Sequence, residues 1–336
     1  MVRRAVAGVL VATAMAGAAA QTPATGRVLR VGPDRALTMP SAAASIARPG
    51  DRILIDAGTY RDCAVWRTPD LTIEGAGGLA HIRDVACEGK AIWVFYSAPV
   101  TVRQVRFSGA RVARRNGAGI RWEGGGPLTV EDSVFDDNQM GILSHNRRAS
   151  RLVVVRSRFE GNGNCETFCG HALYAGLIAA LTVRDSVFTG HYFGHHIKSR
   201  ALASEVSGTR IGDGAAGTSS YAIDLPNSGS ALIRGNVIAK GPGSDNPYCA
   251  ICIGEEIVAP APGAGPAAAP APTGVANPSD GIVIEGNRFD NATGSADTAF
   301  VWNRGPHAVT LRDNALTGPG VAYVAGPRPE LDKTPD

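Results

Sequence analysis

The sequence predicts an all-β chain wound as a single-stranded, right-handed parallel β-helix of about nine to ten coils. Three observations carry that expectation. A phrase of the form apolar, Thr or Val, Val, Arg or Glu, any residue, Ser or Asn, any residue, Phe recurs along the chain. Glycine supplies 42 of 336 residues, an excess that belongs in turns because glycine weakens helix interiors. Nothing between the repeats has the length and period of about 3.6 residues that a helix requires.

The copies read VTVRQVRF to Phe107, LTVEDSVF to Phe135, LVVVRSRF to Phe159, LTVRDSVF to Phe188, ALIRGNVI to Ile238, IVIEGNRF to Phe289 and VTLRDNAL to Leu316, with a weaker copy ending at Ile211. Leu128 and Val130 alternate with Thr129 and Glu131, which is strand patterning. After a stretch rich in Gly, Asn and Asp a second apolar phrase follows: GIRW from Gly119, GILS from Gly141, HALY from His171, HHIK from His195, YAID from Tyr221 and AFVW from Ala299. Short strands repeating every ~25 residues fit coils that stack core on core, whereas leucine-rich repeats and propellers have spacings this chain lacks. Asn236, Asn287 and Asn314 hold the Ser or Asn position of the phrase and read as an internal polar ladder.

Residues 1–20 carry Arg3 and Arg4, then an Ala-rich apolar stretch ending before Gln21, the pattern of a secretory signal. The expectation is an exported protein, periplasmic or extracellular, with a β-helix over residues 21–326 and a loose tail at 327–336. A Pro- and Ala-rich insertion at 258–279 reads as an exposed, flexible excursion. With 33 basic against 30 acidic residues and no basic run, no nucleic-acid footprint stands out; no membrane span follows the signal, and a monomer is expected. In an oxidising compartment the six cysteines read as disulfides. Cys165 with Cys169 and Cys249 with Cys252 are close in sequence; a zinc site is the alternative, since Cys249 and Cys252 form a CxxC and His171 sits two residues after Cys169.

The segment ASIARPGDRILIDAGTYRDCAVWRTPDLTIEGAGG, Ala44 to Gly78, resembles the first coil of pectin-lyase-like right-handed β-helix proteins. That resemblance implies the fold and leaves the chemistry open. On it, Cys63 and Cys87, 24 residues apart, sit on neighbouring coils and staple the N-terminal cap.

Aligning the second phrases sets Gly141, His171, His195 and Tyr221 in one row, Ile142, Ala172, His196 and Ala222 in the next, then Leu143, Leu173, Ile197 and Ile223 as core, then Ser144, Tyr174, Lys198 and Asp224. Alternation turns the second and fourth rows outward. A row of polar and aromatic groups along a β-helix suits an extended polymer, and an acidic polysaccharide is the partner expected. Eliminative cleavage of a uronate needs a cation for the carboxylate, a base for the adjacent proton and an acid for the leaving oxygen. Lys198 is expected as base with its pKa depressed by Arg200 and His196, Arg200 as the carboxylate's partner, and Tyr174 or His196 as acid. His171, His195, Tyr221, Asp224 and Ser144 are expected to bind substrate.

GHHIKSRA resembles the lysine-bearing coil of alginate lyases and chondroitinase-B-type lyases, which pair a base Lys with an acid Arg one coil on; here that position is Asp224, and no acidic calcium cluster precedes Lys198. Together with GHALYAG and SYAIDLP it also resembles a group of exported bacterial β-helix proteins of unassigned activity. Lys198 with Asp224 reads equally as a cross-coil salt bridge. Asp224 and Glu255 are the candidate carboxylate pair or calcium site, with solvation in a loop the default for Glu255 and Glu256. C5-epimerisation stands beside elimination. A polygalacturonase-type hydrolase using Asp136 and Asp137, and a non-catalytic polysaccharide-binding β-helix, are the other classes.

Overall fold

The computed structural model describes residues 26–164, 169–214, 216–257 and 275–326. The expected signal segment, Cys165, the body of the Pro- and Ala-rich insertion and the tail after residue 326 lie outside the described residues.

Parallel strands form two sheets of nineteen and ten strands. A coil contributes three strands, as in Pro127–Glu131, Val134–Asp136 and Met140–Ser144. The first two join the larger sheet and the third the smaller. Leu128, Leu152 and Leu181 stand in register, as do Val130, Val154 and Val183. Such strand-to-strand crossovers wind right-handed. Phe107, Phe135, Phe159 and Phe188 stack with centroids 5.1, 4.7 and 4.4 Å apart. Their rings lie close beneath the smaller sheet: a Cβ on Gly119 would sit 2.7 Å from Phe135, and one on Gly141 2.7 Å from Phe159. Only glycine allows that approach.

The Ser or Asn of the phrase has a physical reason. The residue before it takes positive φ, as at Asp132, Asp185, Gly235 and Gly286, bending the chain between the two strands and leaving a backbone N–H pointing along the axis. The side chain of the next coil caps that N–H: Ser133 N–H donates to Ser157 Oγ at 3.2 Å, Ser157 N–H to Ser186 Oγ at 3.1 Å, Asn236 N–H to Asn287 Oδ1 at 2.9 Å and Asn287 N–H to Asn314 Oδ1 at 3.0 Å. A ladder of side-chain oxygens thereby satisfies buried amides through the solenoid.

The short helix Pro40–Ile46 covers the N-terminal end, with Ala43 buried in the core. Cys63 and Cys87 are bonded, Cα atoms 5.5 Å apart, and Cys249 is bonded to Cys252. These pairings replace the zinc alternative at Cys249 and Cys252, since a disulfide sulfur has no thiolate to offer a metal. One expectation about the insertion fails at its end. Asn277 is buried and donates to the carbonyls of Arg200 and Ala201 at 3.1 Å each, so the chain is pinned to the coil of Arg200 where it returns.

Candidate functional site

The smaller sheet carries the site on its outer face. Arg121, Leu143, Tyr174, Lys198, Asp224 and Cys252 stand in register on six successive coils. Beside this row runs a second: the rings of His171 and His195 stack at 4.8 Å and those of His195 and Tyr221 at 4.6 Å. The expected row of Tyr174, Lys198 and Asp224 is therefore present, but its start is shifted by one residue. Leu143, not Ser144, faces Tyr174; Ser144 accepts the N–H of Gly176 at 2.8 Å just past the row.

His196 does not face outward. The row of Ile142, Ala172, His196 and Ala222 does not form one register, and all four side chains are buried. His196 pairs with Asp213 at 3.1 Å inside the coil, so it stands away from Lys198 and cannot serve a substrate. Alternation misleads here because the residue preceding the core aliphatic also turns inward, where the strand begins.

The titratable groups interlock. Lys198 Nζ lies 2.9 Å from Asp224 Oδ2 and donates to Glu256 Oε1 at 3.0 Å. Burial alone would lower its amine, but the two carboxylates outweigh burial and hold it above its ordinary value. The depressed pKa expected of Lys198 is thus reversed; Arg200 acts to lower it and is the smaller influence. The Lys198 side chain is 12% exposed and that of Asp224 1%. Asp224, buried, is pushed up despite Lys198, and His195 Nε2 stands 3.3 Å from its Oδ2.

Arg200 is equally committed. It donates Nε–H to the Tyr174 hydroxyl at 2.7 Å, and its terminal nitrogens to Asn227 Oδ1 at 2.8 Å and Glu256 Oε1 at 2.7 Å. At 10% exposure and neutralised by Glu256, it is placed to act on Tyr174 and not as the free cation expected to take a substrate carboxylate. Burial works to raise Glu256, but Lys198 and Arg200 prevail and hold it ionised. Glu255 accepts the Tyr221 hydroxyl at 2.9 Å and is pushed up to about 7, chiefly by burial and then by Asp224. Neither glutamate is a solvated loop residue. Among the described residues no group of three or more His, Cys, Asp and Glu side chains is arranged to hold a metal ion; Asp224 is met by Lys198 and Glu255 by Tyr221.

The histidine row fixes its own tautomers. The N–H of His195 donates to His171 Nδ1 at 3.0 Å, and the N–H of Tyr221 to His195 Nδ1 at 3.3 Å. Burial, aided by Lys198, keeps both rings well below the usual imidazole range. A neutral ring with an accepting Nδ1 carries its proton on Nε2, so each is a hydrogen-bond donor there.

A cavity of about 560 Å³ opens over this row, walled by Arg121, Leu143, His171, Tyr174, Lys198, Arg200 and Glu256, with Ser144, His145 and Asn146 at its edge. His171 meets Tyr174 edge-on, centroids 5.4 Å apart. Asp136 and Asp137, the hydrolase candidates, pair with Arg106 and Arg111 at 2.6 and 2.5 Å and line no part of the cavity. Sequence reasoning missed Arg121, Asn227 and the true place of Glu256. Arg121 stands in the GIRW phrase that the repeat had already aligned, so a correct register finds it; Glu256 reaches Arg200 from 56 residues away with no local signal.

No family model matches the chain, and no curated protein does. Among solved structures it is similar to the A-module of a mannuronan C-5 epimerase from Azotobacter vinelandii, at 14% identity and TM-score 0.40 over 85% of this chain and 91% of that one. An alginate lyase from Paenibacillus sp. matches at 14% identity and TM-score 0.43, over 85% and 96%. A pectin methylesterase from Aspergillus niger matches at 10% identity and TM-score 0.42, over 88% and 86%.

Proposed function

We propose that the chain is an exported enzyme that cleaves an acidic, uronate-containing polysaccharide by β-elimination, with Tyr174 as the group that moves the proton. The observation that carries this reading is the Arg200 Nε–H donated to the Tyr174 hydroxyl at 2.7 Å in the wall of the cavity. A guanidinium aimed at a phenol oxygen stabilises negative charge there when its proton leaves. It also turns the remaining O–H away from itself, toward the substrate.

The chemistry needs one proton out and one proton in. Once its own proton has left to solvent, Tyr174 as phenolate takes the C5 proton of the uronate; the C5–H electrons form the C4–C5 double bond as the C4–O bond breaks. The departing oxygen then takes the proton back from Tyr174. Negative charge building on the uronate carboxylate is met by His171 Nε2–H as the neutral donor, with the Arg121 guanidinium, itself paired with Glu123, contributing a free N–H from the same cavity wall. Lys198 serves by holding Glu256, which holds Arg200. His171, two residues before the strand Leu173–Ala175, and Tyr174 within it wall the same cavity. They thus address one face of the sugar, which suits elimination better than epimerisation, where a second proton arrives from the opposite face.

Proton NMR of pectate, alginate, hyaluronan and chondroitin after incubation with the protein, with and without calcium, tests the reading. A vinyl signal that disappears with Tyr174→Phe supports it. A changed uronate ratio without cleavage means epimerisation, new saturated reducing ends mean hydrolysis, and binding without any change means a non-catalytic β-helix.

A further inference from the structure

The cavity over Tyr174 is not isolated. A second one, of about 470 Å³, lies toward the N-terminal coils and shares Asn116 and Arg121 with the first. Its walls carry Lys90, Arg114 and Arg121 against a single acid, Glu88. Arg121 is bound to Glu123 at 3.0 Å, and Lys90 donates to the Tyr96 hydroxyl at 2.6 Å with Glu88 and Glu123 each 3.4 Å away. Arg114 differs. It is exposed and makes no hydrogen bond or ion pair with any described residue.

Its position is nevertheless fixed. Buried Gln139 reaches up from the next coil and accepts the N–H groups of Val112 and Gly117 at 2.9 and 2.8 Å, clamping both ends of the turn that bears Arg114. Asn164 adds a hydrogen bond to the carbonyl of Arg115 at 3.1 Å. A cation without a partner among the described residues, held on a braced turn over a basic cavity, is arranged for an anion from outside.

We propose that this second cavity is a carboxylate-binding subsite for a uronate unit one or more sugars away from the bond cut at Tyr174, with Arg114 as its principal contact and Arg121 at the boundary. Coils repeat at about 4.8 Å, and the two cavities together run over the coils from Lys90 to Lys198, so the bound chain lies along the solenoid axis. The inference rests on the reading of the site as one for acidic polysaccharide. It adds that recognition reaches toward the N-terminus and grows with substrate length.

Calorimetric titration of the full chain with triuronates and hexauronates of defined length, run beside turnover of the same oligomers, tests it. The wild type binds hexauronate more tightly than triuronate, and Arg114→Ala shrinks that ratio by up to roughly fivefold, the weight of one exposed ion pair. Arg114→Lys restores part of it, and added salt weakens the effect. Length-dependent binding that Arg114→Ala removes, in a protein that turns nothing over, upholds the subsite and removes the elimination reading. Turnover with a ratio that Arg114→Ala leaves unchanged overturns the subsite and leaves the elimination reading standing.

Discussion

Arg200 donates its Nε–H to the hydroxyl of Tyr174 at 2.7 Å, across the boundary between two adjacent coils. The same guanidinium is held from behind by Asn227 and Glu256. The tyrosine thus has both a side open to the cavity and a fixed cation. Tyr174→Phe removes the hydroxyl and leaves the ring, its edge-on contact with His171 and the surrounding packing. Turnover should fall at least about a hundredfold, the usual weight of a positioned proton carrier. The thermal midpoint should fall modestly, because Arg200 loses the acceptor of its Nε–H but keeps Asn227 and Glu256. Rates followed by the ultraviolet absorbance of the unsaturated product, with melting by circular dichroism, measure both; a Phe variant of wild-type rate removes Tyr174 from the mechanism.

Lys198 is the converse case, a residue whose first duty is to its neighbours. Lys198→Met leaves Asp224, 1% exposed, without its cation and leaves Glu256 with Arg200 alone. Removing one partner of a buried pair costs about 3 kcal/mol or more. The urea midpoint should drop accordingly and turnover should fall with it. Adding Asp224→Asn to the same chain should recover part of the stability, since the orphaned charge is then gone. Equal midpoints for wild type and Lys198→Met would show that the pair contributes nothing.

What the sequence disclosed and what it hid divide along the strands. The phrase ending at Phe107, Phe135, Phe159 and Phe188 announces the stacked rings and the capping ladder because each copy repeats the same physical task within eight residues. The outer row is harder to read. Met140–Ser144 is buried at all five positions, so no polar alternation marks which of Leu143 and Ser144 faces out, and the alignment slips by one. His196 reads as outward by alternation but turns in, where Asp213, 17 residues on, receives it. Glu256 and Asn227 carry no signal at all, because what brings them to Arg200 is the winding of later coils.

Glu255 makes the protein's stability depend on pH. Its carboxyl, ordinarily at 4.5, is pushed up to about 7 by burial, then by Asp224, with Tyr221, Lys198 and Arg304 opposing. Between those values the native chain holds a proton that the unfolded chain has released. Stability from this group therefore falls as pH rises from 4.5 toward about 7. Glu255→Gln carries no such proton, and its urea midpoint should be flatter than the wild type's across that window. A wild type that gains stability there relative to Glu255→Gln contradicts the assignment.

His171 should stay neutral with its proton on Nε2. Burial keeps the ring uncharged and the N–H of His195 occupies Nδ1. Nitrogen-resolved NMR of labelled histidine reads this directly: the His171 signals should show the Nε2–H tautomer at neutral pH and no titration near the ordinary imidazole value. A charged ring, or a proton on Nδ1, would remove the donor assigned to meet the uronate carboxylate.

The ladder offers a test of the fold that leaves the site alone. Asn236 accepts the N–H of Thr209 at 2.9 Å and donates to the carbonyl of Val206 at 2.9 Å, all inside the solenoid. Asn236→Ala strands both groups, and each buried polar group left unpaired costs about 1–3 kcal/mol, so the loss should reach roughly 2 kcal/mol or more. Asn236→Ser should fall between Ala and wild type, because Ser133, Ser157 and Ser186 already do half of this work in earlier coils. Each accepts an N–H from the coil before it and returns its hydroxyl to its own strand, as Ser157 does to Val155 O at 3.0 Å. Serine reproduces the accepted bond but cannot reach the carbonyl of Val206. Urea midpoints ordered wild type, Ser, Ala confirm that the side-chain oxygen is what the repeat selects; Ser and Ala behaving alike would place the whole effect in the amide nitrogen instead.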